Sequence, residues 1–187
     1  GISDLCVFLG DPSKLPLAFD ESLSPARAAG LRAEVAAQGQ RLVELCGGGD
    51  YTVKAGIEAQ VEKTKKHLEL AAALGVKLFR LFGGWIDEKE ATDATYGQVS
   101  AALGEIGRYA RPLGITIAME NHGGVTRTGA QCARILRAVK EGNVGLNYDP
   151  ANFDYHHEDA LMALLAVNER IVITHFKNCR EEQGAMR

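Results

Sequence analysis

The sequence predicts an α/β fold of the parallel (β/α)₈ barrel type, with about six of the strands present. Three observations carry this. Short apolar runs alternate with longer amphipathic stretches along all 187 residues, and strands joined by crossover helices run parallel. Two of the runs place bulky side chains on one face only. Three of them end in a carboxylate or an imidazole.

In chain order, the first strand covers residues 2–9 and is followed by a loop rich in turn formers, 10–20. Ser24 caps a helix with Pro25 at its first position, a pairing suited to a helix start, and that helix runs to about Gln38. Residues 41–46 read as a strand that Gly47, Gly48 and Gly49 break. A helix over about 53–74 carries Ile57, Val61, Leu68 and Ala72 on one stripe and stops at Gly75. Strand 76–82 leads to a helix over 92–111 with Val99, Leu103, Ile106 and Ala110 on its apolar face. Strand 115–120 precedes a helix over 128–140 built on Cys132, Ile135, Leu136 and Val139. Strand 144–149, helix 159–167 and strand 171–176 complete the series. No linker, repeat or low-complexity stretch divides it, so residues 1–187 are expected to form a single domain.

Side-chain parity separates a barrel from a doubly wound sheet. Ile115, Ile117 and Met119 share one face of their strand, against Thr116, Ala118 and Glu120. Val144, Leu146 and Tyr148 likewise oppose Gly145, Asn147 and Asp149. A strand of a doubly wound sheet is apolar on both faces. Here one face suits packing on helices, while the other is small or polar and ends in a carboxylate, as in a barrel interior whose upper end carries chemistry.

Composition narrows the partners. A hydrophobic content of 46% provides for a core, and a net charge of -3 gives no basic footprint for nucleic acid. The densest cations, Lys63, Lys65 and Lys66, lie among Glu58, Glu62 and Glu69 and read as a solvated helix face. Cys6, Cys46, Cys132 and Cys179 form no C-x-x-C pair and read as reduced thiols of a cytoplasmic protein. No apolar run is long enough for a membrane span. The chain opens at Gly1 without an initiator Met, which leaves a preceding leader open.

Glu120, Asp149 and His175 each close an apolar strand, 29 and 26 residues apart, about one β-α unit each time. Taken singly they are plain features: a carboxylate where the chain re-enters water, an Asp-Pro turn opener and a rim histidine. Their common phase at three successive strand ends lifts them to a convergent set, because neighbouring strands lie roughly 4.8 Å apart. Two carboxylates and one imidazole suit a divalent ion: Mn²⁺ first, with Mg²⁺, Co²⁺ or Zn²⁺ as alternatives.

The segments AMENHGG (118–124), GLNYDPAN (145–152) and THFK (174–177), with LAAALGVKLFRLFGG (70–84), resemble the xylose isomerase-like TIM-barrel family of sugar phosphate isomerases and epimerases. The resemblance covers nearly the whole chain. It implies that Glu120, Asp149 and His175 are metal ligands, with a fourth, a second Glu, on an eighth strand that this chain lacks. The strands read here would then be the second to the seventh. It also implies proton removal beside a ketose or polyol carbonyl, with Glu120 as both ligand and acid-base group. A dehydratase acting on a keto-inositol or dehydroshikimate-like acid would use the same site, and a truncated barrel without chemistry is the third reading.

Further positions are weighed beside these. His122 could donate to a substrate hydroxyl or be a loop histidine, and Lys177 could bind a hydroxyl or phosphate or be plainly exposed. Trp85 could wall the pocket or pack under a loop; the parity of Arg80 is ambiguous. His67 falls on a charged helix face and reads as inert, and His156 and His157 read as exposed. Gly47–Gly49 is not a phosphate loop, since no Lys followed by Ser or Thr comes after it. Asn152 stands where several sugar epimerases, and related zinc endonucleases of abasic DNA, carry His. The expected partner is a small sugar or sugar phosphate, with no nucleic acid and no membrane. Strands 2–9 and 171–176 are expected to be open edges, a route to a homo-oligomer.

Overall fold

The computed structural model describes residues 2–11, 13–14, 18–177, 181–182 and 185–186. Its main sheet contains β1 (Asp4–Leu9), β2 (Ala18–Phe19), β3 (Arg41–Cys46), β4 (Leu78–Phe82), β5 (Thr116–Glu120), β6 (Val144–Tyr148) and β7 (Ile171–Thr174). The strand order is β2-β1-β3-β4-β5-β6-β7 and every pairing is parallel. From β3 onward each strand joins the same growing side of the sheet, with only the two-residue β2 on the far side of β1. The long strands thus follow one another without the reversal of a doubly wound fold.

The helices α1 (Pro25–Ala37), α2 (Ile57–Leu74), α3 (Asp93–Ala110), α4 (Gly129–Ala138) and α6 (Ala160–Val167) pack on one another in succession around the outside. Between β6 and α6 lies a short helix, α5 (Pro150–Tyr155). Their ends follow from local chemistry. Ser24 accepts from the Arg27 amide, and Thr92 with Thr95 and Thr128 with Gln131 form reciprocal caps. Gly75 closes α2 in the left-handed conformation at φ 75°.

One distance shows that the sheet curls into a barrel. Four strand steps separate β3 from β7, roughly 19 Å across a flat sheet. Yet Nε2 of His175, the residue after β7, lies 2.9 Å from Oε2 of Glu44 on β3. Two side chains cannot bridge a flat sheet of that width, so the inner faces of β3 and β7 look at each other. Parity holds as read: Ile117, Met119 and Leu146 are fully buried toward the helices, among Leu103, Ile106, Ile135 and Leu136.

Three details correct the sequence reading. The loop 10–20 contains β2, which pairs with the outer side of β1, so strand 2–9 is not an edge; the sheet ends on β2 and β7. The Asp149-Pro150 turn opener starts α5, because Pro at the first helical position has no amide to leave unpaired. Gly56, left-handed at φ 93°, delays α2 to Ile57. Cys6, Cys46 and Cys132 are free thiols, and Cys179 lies outside the described residues. No helix among the described residues is long and apolar enough to cross a membrane. Leu161, Met162 and Leu165 on α6 are exposed, as are Val172 and Phe176 beside the β7 edge.

His67 also departs from its reading. It is buried, its ring 6.3 Å from that of Phe79 and its Nε2 3.7 Å from the Glu21 carboxylate. Burial holds its pKa below the usual imidazole value and Lys63 adds to that, against the pull of Glu21. The folded chain therefore takes up this proton less readily than the unfolded chain. The contribution of His67 is complete above the unfolded pKa of about 6.5 and is lost as pH falls through the lower folded value. Urea midpoints at pH 7.5 and 5.5 should differ less in His67→Gln than in the wild type; equal differences would refute the assignment.

Candidate active site

Glu120, Asp149 and His175 meet at the C-terminal end of the barrel, with one ligand atom of each within 4.8 Å of the others. Side chains of like parity at successive strand ends produce this convergence. Asn121 fixes it: its Nδ2 donates to the Asp149 carbonyl and its Oδ1 accepts from the Asp149 amide, both at 2.8 Å. That two-point clamp ties the end of β5 to the end of β6.

Glu120 is almost fully buried, and three groups address it. Arg80 Nε lies 2.9 Å from Oε2, while His175 Nδ1 at 3.6 Å and Asn152 Nδ2 at 3.3 Å approach Oε1. Burial pushes its carboxyl up, but His175, Arg80 and His122 outweigh burial and hold it below the usual glutamate value. Asp149 uses Oδ1 to cap α5, accepting from the Asn152 amide at 3.2 Å, and Oδ2 to meet Lys177 Nζ at 3.0 Å. Lys177 also donates to Asn152 Oδ1 at 2.6 Å.

His175 is strongly perturbed. Hydrogen bonds from its ring to Glu120 and Glu44, against burial, raise its pKa to about 9. The ring thus holds its charge at neutral pH in the ion-free chain, with Nε2 facing Glu44 and Nδ1 on the side of Glu120. Asn147 lies 2.9 Å from Nδ1 through its amide. Three carboxylates, Glu44, Glu120 and Asp149, face three cations, Arg80, His175 and Lys177. To hold a divalent ion, His175 would have to give up the proton of its ligating nitrogen, as metal ligands must.

The other positions singled out in the sequence divide. Trp85, half exposed, stacks near Phe82 with ring centroids 4.9 Å apart and near His122 at 5.5 Å. Phe82 in turn lies under the Arg80 guanidinium at 4.4 Å, which links Trp85 and His122 to Glu120. His156 is half-buried over Gly123, contrary to its exposed reading, while His157 is exposed. Arg80, ambiguous in sequence, points inward and donates from Nη1 to the Gly47 carbonyl at 2.7 Å. Sequence reading missed Glu44, Asn121 and Asn147. Glu44 had a signal, a lone carboxylate inside the apolar run RLVELC (41–46).

The β4 and β5 loops touch at glycines. Gly124 is left-handed at φ 53°, and a Cβ there would meet the Gly84 carbonyl oxygen at 2.2 Å and Trp85 Cα at 2.9 Å. Gly124→Ala combines strain with a backbone clash and should cost about 1–3 kcal/mol. Because Trp85 is the single tryptophan, its emission should shift in the folded variant; unchanged emission and melting would show that the two loops do not depend on this contact.

The donor set fits a divalent cation. Oxygen ligands dominate, one nitrogen is available, and the cations now facing Glu120 and Asp149 occupy the place of positive charge. The xylose isomerase-like TIM barrel family matches the chain over residues 6–187. The inosose dehydratase of Lacticaseibacillus casei is 28% identical over 99 residues, 52% of this chain and 33% of that protein. D-psicose 3-epimerase of Clostridium cellulolyticum H10, solved with D-tagatose, superposes with a TM-score of 0.76 at 15% identity, covering 95% of this chain and 64% of that one. A xylose isomerase-like barrel protein of Mycobacterium smegmatis in complex with magnesium gives 0.69 at 18% identity, covering 89% and 62%. The chain thus spans less than two thirds of each of these proteins.

Proposed function

The chain belongs to the xylose isomerase-like TIM barrel family, and we propose that it is a divalent-metal-dependent isomerase or epimerase of a small ketose, sugar phosphate or polyol ketone. One observation carries the reading: Glu120, Asp149 and His175 converge at the ends of three successive strand units, within 4.8 Å of one another. A bound divalent ion supplies Lewis-acid polarisation of adjacent carbonyl and hydroxyl oxygens. Mn²⁺, Mg²⁺, Co²⁺ and Zn²⁺ all suit the donors, with Mn²⁺ our first assignment.

The protein groups then divide the work. Glu120, kept ionised by its cationic neighbours, removes the proton beside the carbonyl. Returning it to the adjacent carbon completes an isomerisation, whereas an epimerisation needs a second acid to protonate the same carbon from the opposite face. Lys177, 42% exposed at its side chain and anchored on Asp149, offers a proton donor to a substrate oxygen or a phosphate. Trp85 and His122 wall the pocket, the aromatic face meeting the C–H face of a sugar.

A second reading rests on the 28% identity to an inosose dehydratase. The lyase shares the first proton removal and differs in expelling a neighbouring hydroxyl as water. Incubating the full chain with Mn²⁺, a ketose panel and a polyol ketone in D₂O separates the two. An epimerase product has the mass of the substrate plus one deuterium, whereas a lyase product has lost water. The absence of both deuterium uptake and loss of water with every one of these substrates would overturn both readings.

A further inference from the structure

His175 presents its second nitrogen to a different set of donors. Glu44 is fully buried midway along β3, and its Oε1 has no hydrogen-bond partner among the described residues. Cys46, two residues on, lies on the same face of β3 and is also buried. One ligand atom from each of Glu44, Cys46 and His175 lies within 4.8 Å of the others. The Cys6 thiol on β1 is the other group beside Glu44. A buried carboxylate oxygen without a hydrogen bond is costly, and nothing in the isomerase reading uses it.

We propose that Glu44, Cys46 and Nε2 of His175 form a second cation site, one that takes Zn²⁺ or another thiophilic divalent ion. The donor chemistry differs from that of the Glu120 site by one sulfur, which favours soft or borderline ions over Mg²⁺ and Mn²⁺. Ligands about 2.0–2.3 Å from a tetrahedral ion stand roughly 3.4 Å from one another. The 2.9 Å contact between Glu44 Oε2 and Nε2 therefore opens only slightly to admit the ion. Burial pushes the free Cys46 thiol up to about 12, so its proton leaves to solvent as the sulfur–metal bond forms. Nε2 ligates as a lone pair and the ring keeps its proton on Nδ1. With its proton on Nδ1, which faces Glu120 at 3.6 Å, the ring would not ligate an ion at the site of Glu120 and Asp149 at the same time.

The test titrates the whole chain with Co²⁺ alone and follows sulfur-to-cobalt charge transfer in the near ultraviolet. The wild type should develop the band, Asp149→Asn should keep it, and Cys46→Ser should lose it. Glu44→Gln, which keeps the size of the side chain, should weaken Co²⁺ binding read from the band at least about tenfold. No band in the wild type overturns the site, whatever the variants do. Full intensity in Cys46→Ser, or loss in Asp149→Asn, overturns it as well. Because Asp149 belongs to the catalytic reading and not to this one, a failure of that reading leaves the cobalt band unchanged.

Discussion

Asp149→Asn is expected to abolish turnover and to weaken Mn²⁺ binding strongly while leaving the fold nearly intact. The substitution changes one atom's chemistry and little else. Asn caps helices as well as Asp does, so Oδ1 still accepts from the Asn152 amide that starts α5. The backbone clamp to Asn121 uses the main chain of residue 149 and is untouched. What disappears is the carboxylate charge that faces Lys177 at 3.0 Å and stands within 4.8 Å of Glu120 and His175. Lewis-acid stabilisation is worth several kcal/mol in a metal site, so kcat/KM should fall by about 10³-fold or more. Calorimetry with Mn²⁺ on the two proteins checks the binding half, and thermal melting checks that the fold survives. Equal Mn²⁺ titrations would remove Asp149 from the ligand set.

The upper half of this site is legible in the sequence because strand parity is strict. Once Ile117 and Met119 point to the helices, Glu120 must point inward. The same step places Asp149 opposite Tyr148, whose hydroxyl donates to the Ala160 carbonyl on α6. Glu44 was harder to place. A side chain in mid-strand acquires its partner only when the sheet curls, and the partner, His175, lies 131 residues away. No local pattern encodes that meeting. Arg80 was ambiguous for a related reason: in LFRLF (78–82) the residues on both faces are large, so size alone does not mark the interior. The β2 strand was hidden in a turn-rich stretch because two residues are too few to show alternation. His67 was misread because α2 buries a wider stripe than its four strongest apolar positions suggest: Thr64 and Leu70 are buried as well.

Arg80→Met should be the most destabilising change at the site when the chain is free of metal. The side chain donates to the Gly47 carbonyl at 2.7 Å, lies 4.4 Å above the Phe82 ring and approaches Glu120 at 2.9 Å, with both partners of the ion pair almost fully buried. Met keeps an unbranched stem over the aromatic ring, so the loss falls on charge and hydrogen bonding rather than on packing. Breaking a buried pair by removing one partner typically costs about 3–5 kcal/mol, since the remaining charge has no compensation. Here His175 and Asn152 still address Glu120, which favours the lower end, about 3 kcal/mol. For a chain of this length that is a fall in Tm of about 6–12 °C. Two rescues separate a charge effect from a structural one. Adding Glu120→Gln to Arg80→Met removes the uncompensated carboxylate and should restore about half of the loss. Mn²⁺ should also stabilise Arg80→Met more than it stabilises the wild type, because the ion replaces the missing positive charge beside Glu120. If the double variant is less stable than the single by the full effect of Glu120→Gln alone, the two side chains are uncoupled and Arg80 serves the barrel through its contact with Gly47 instead.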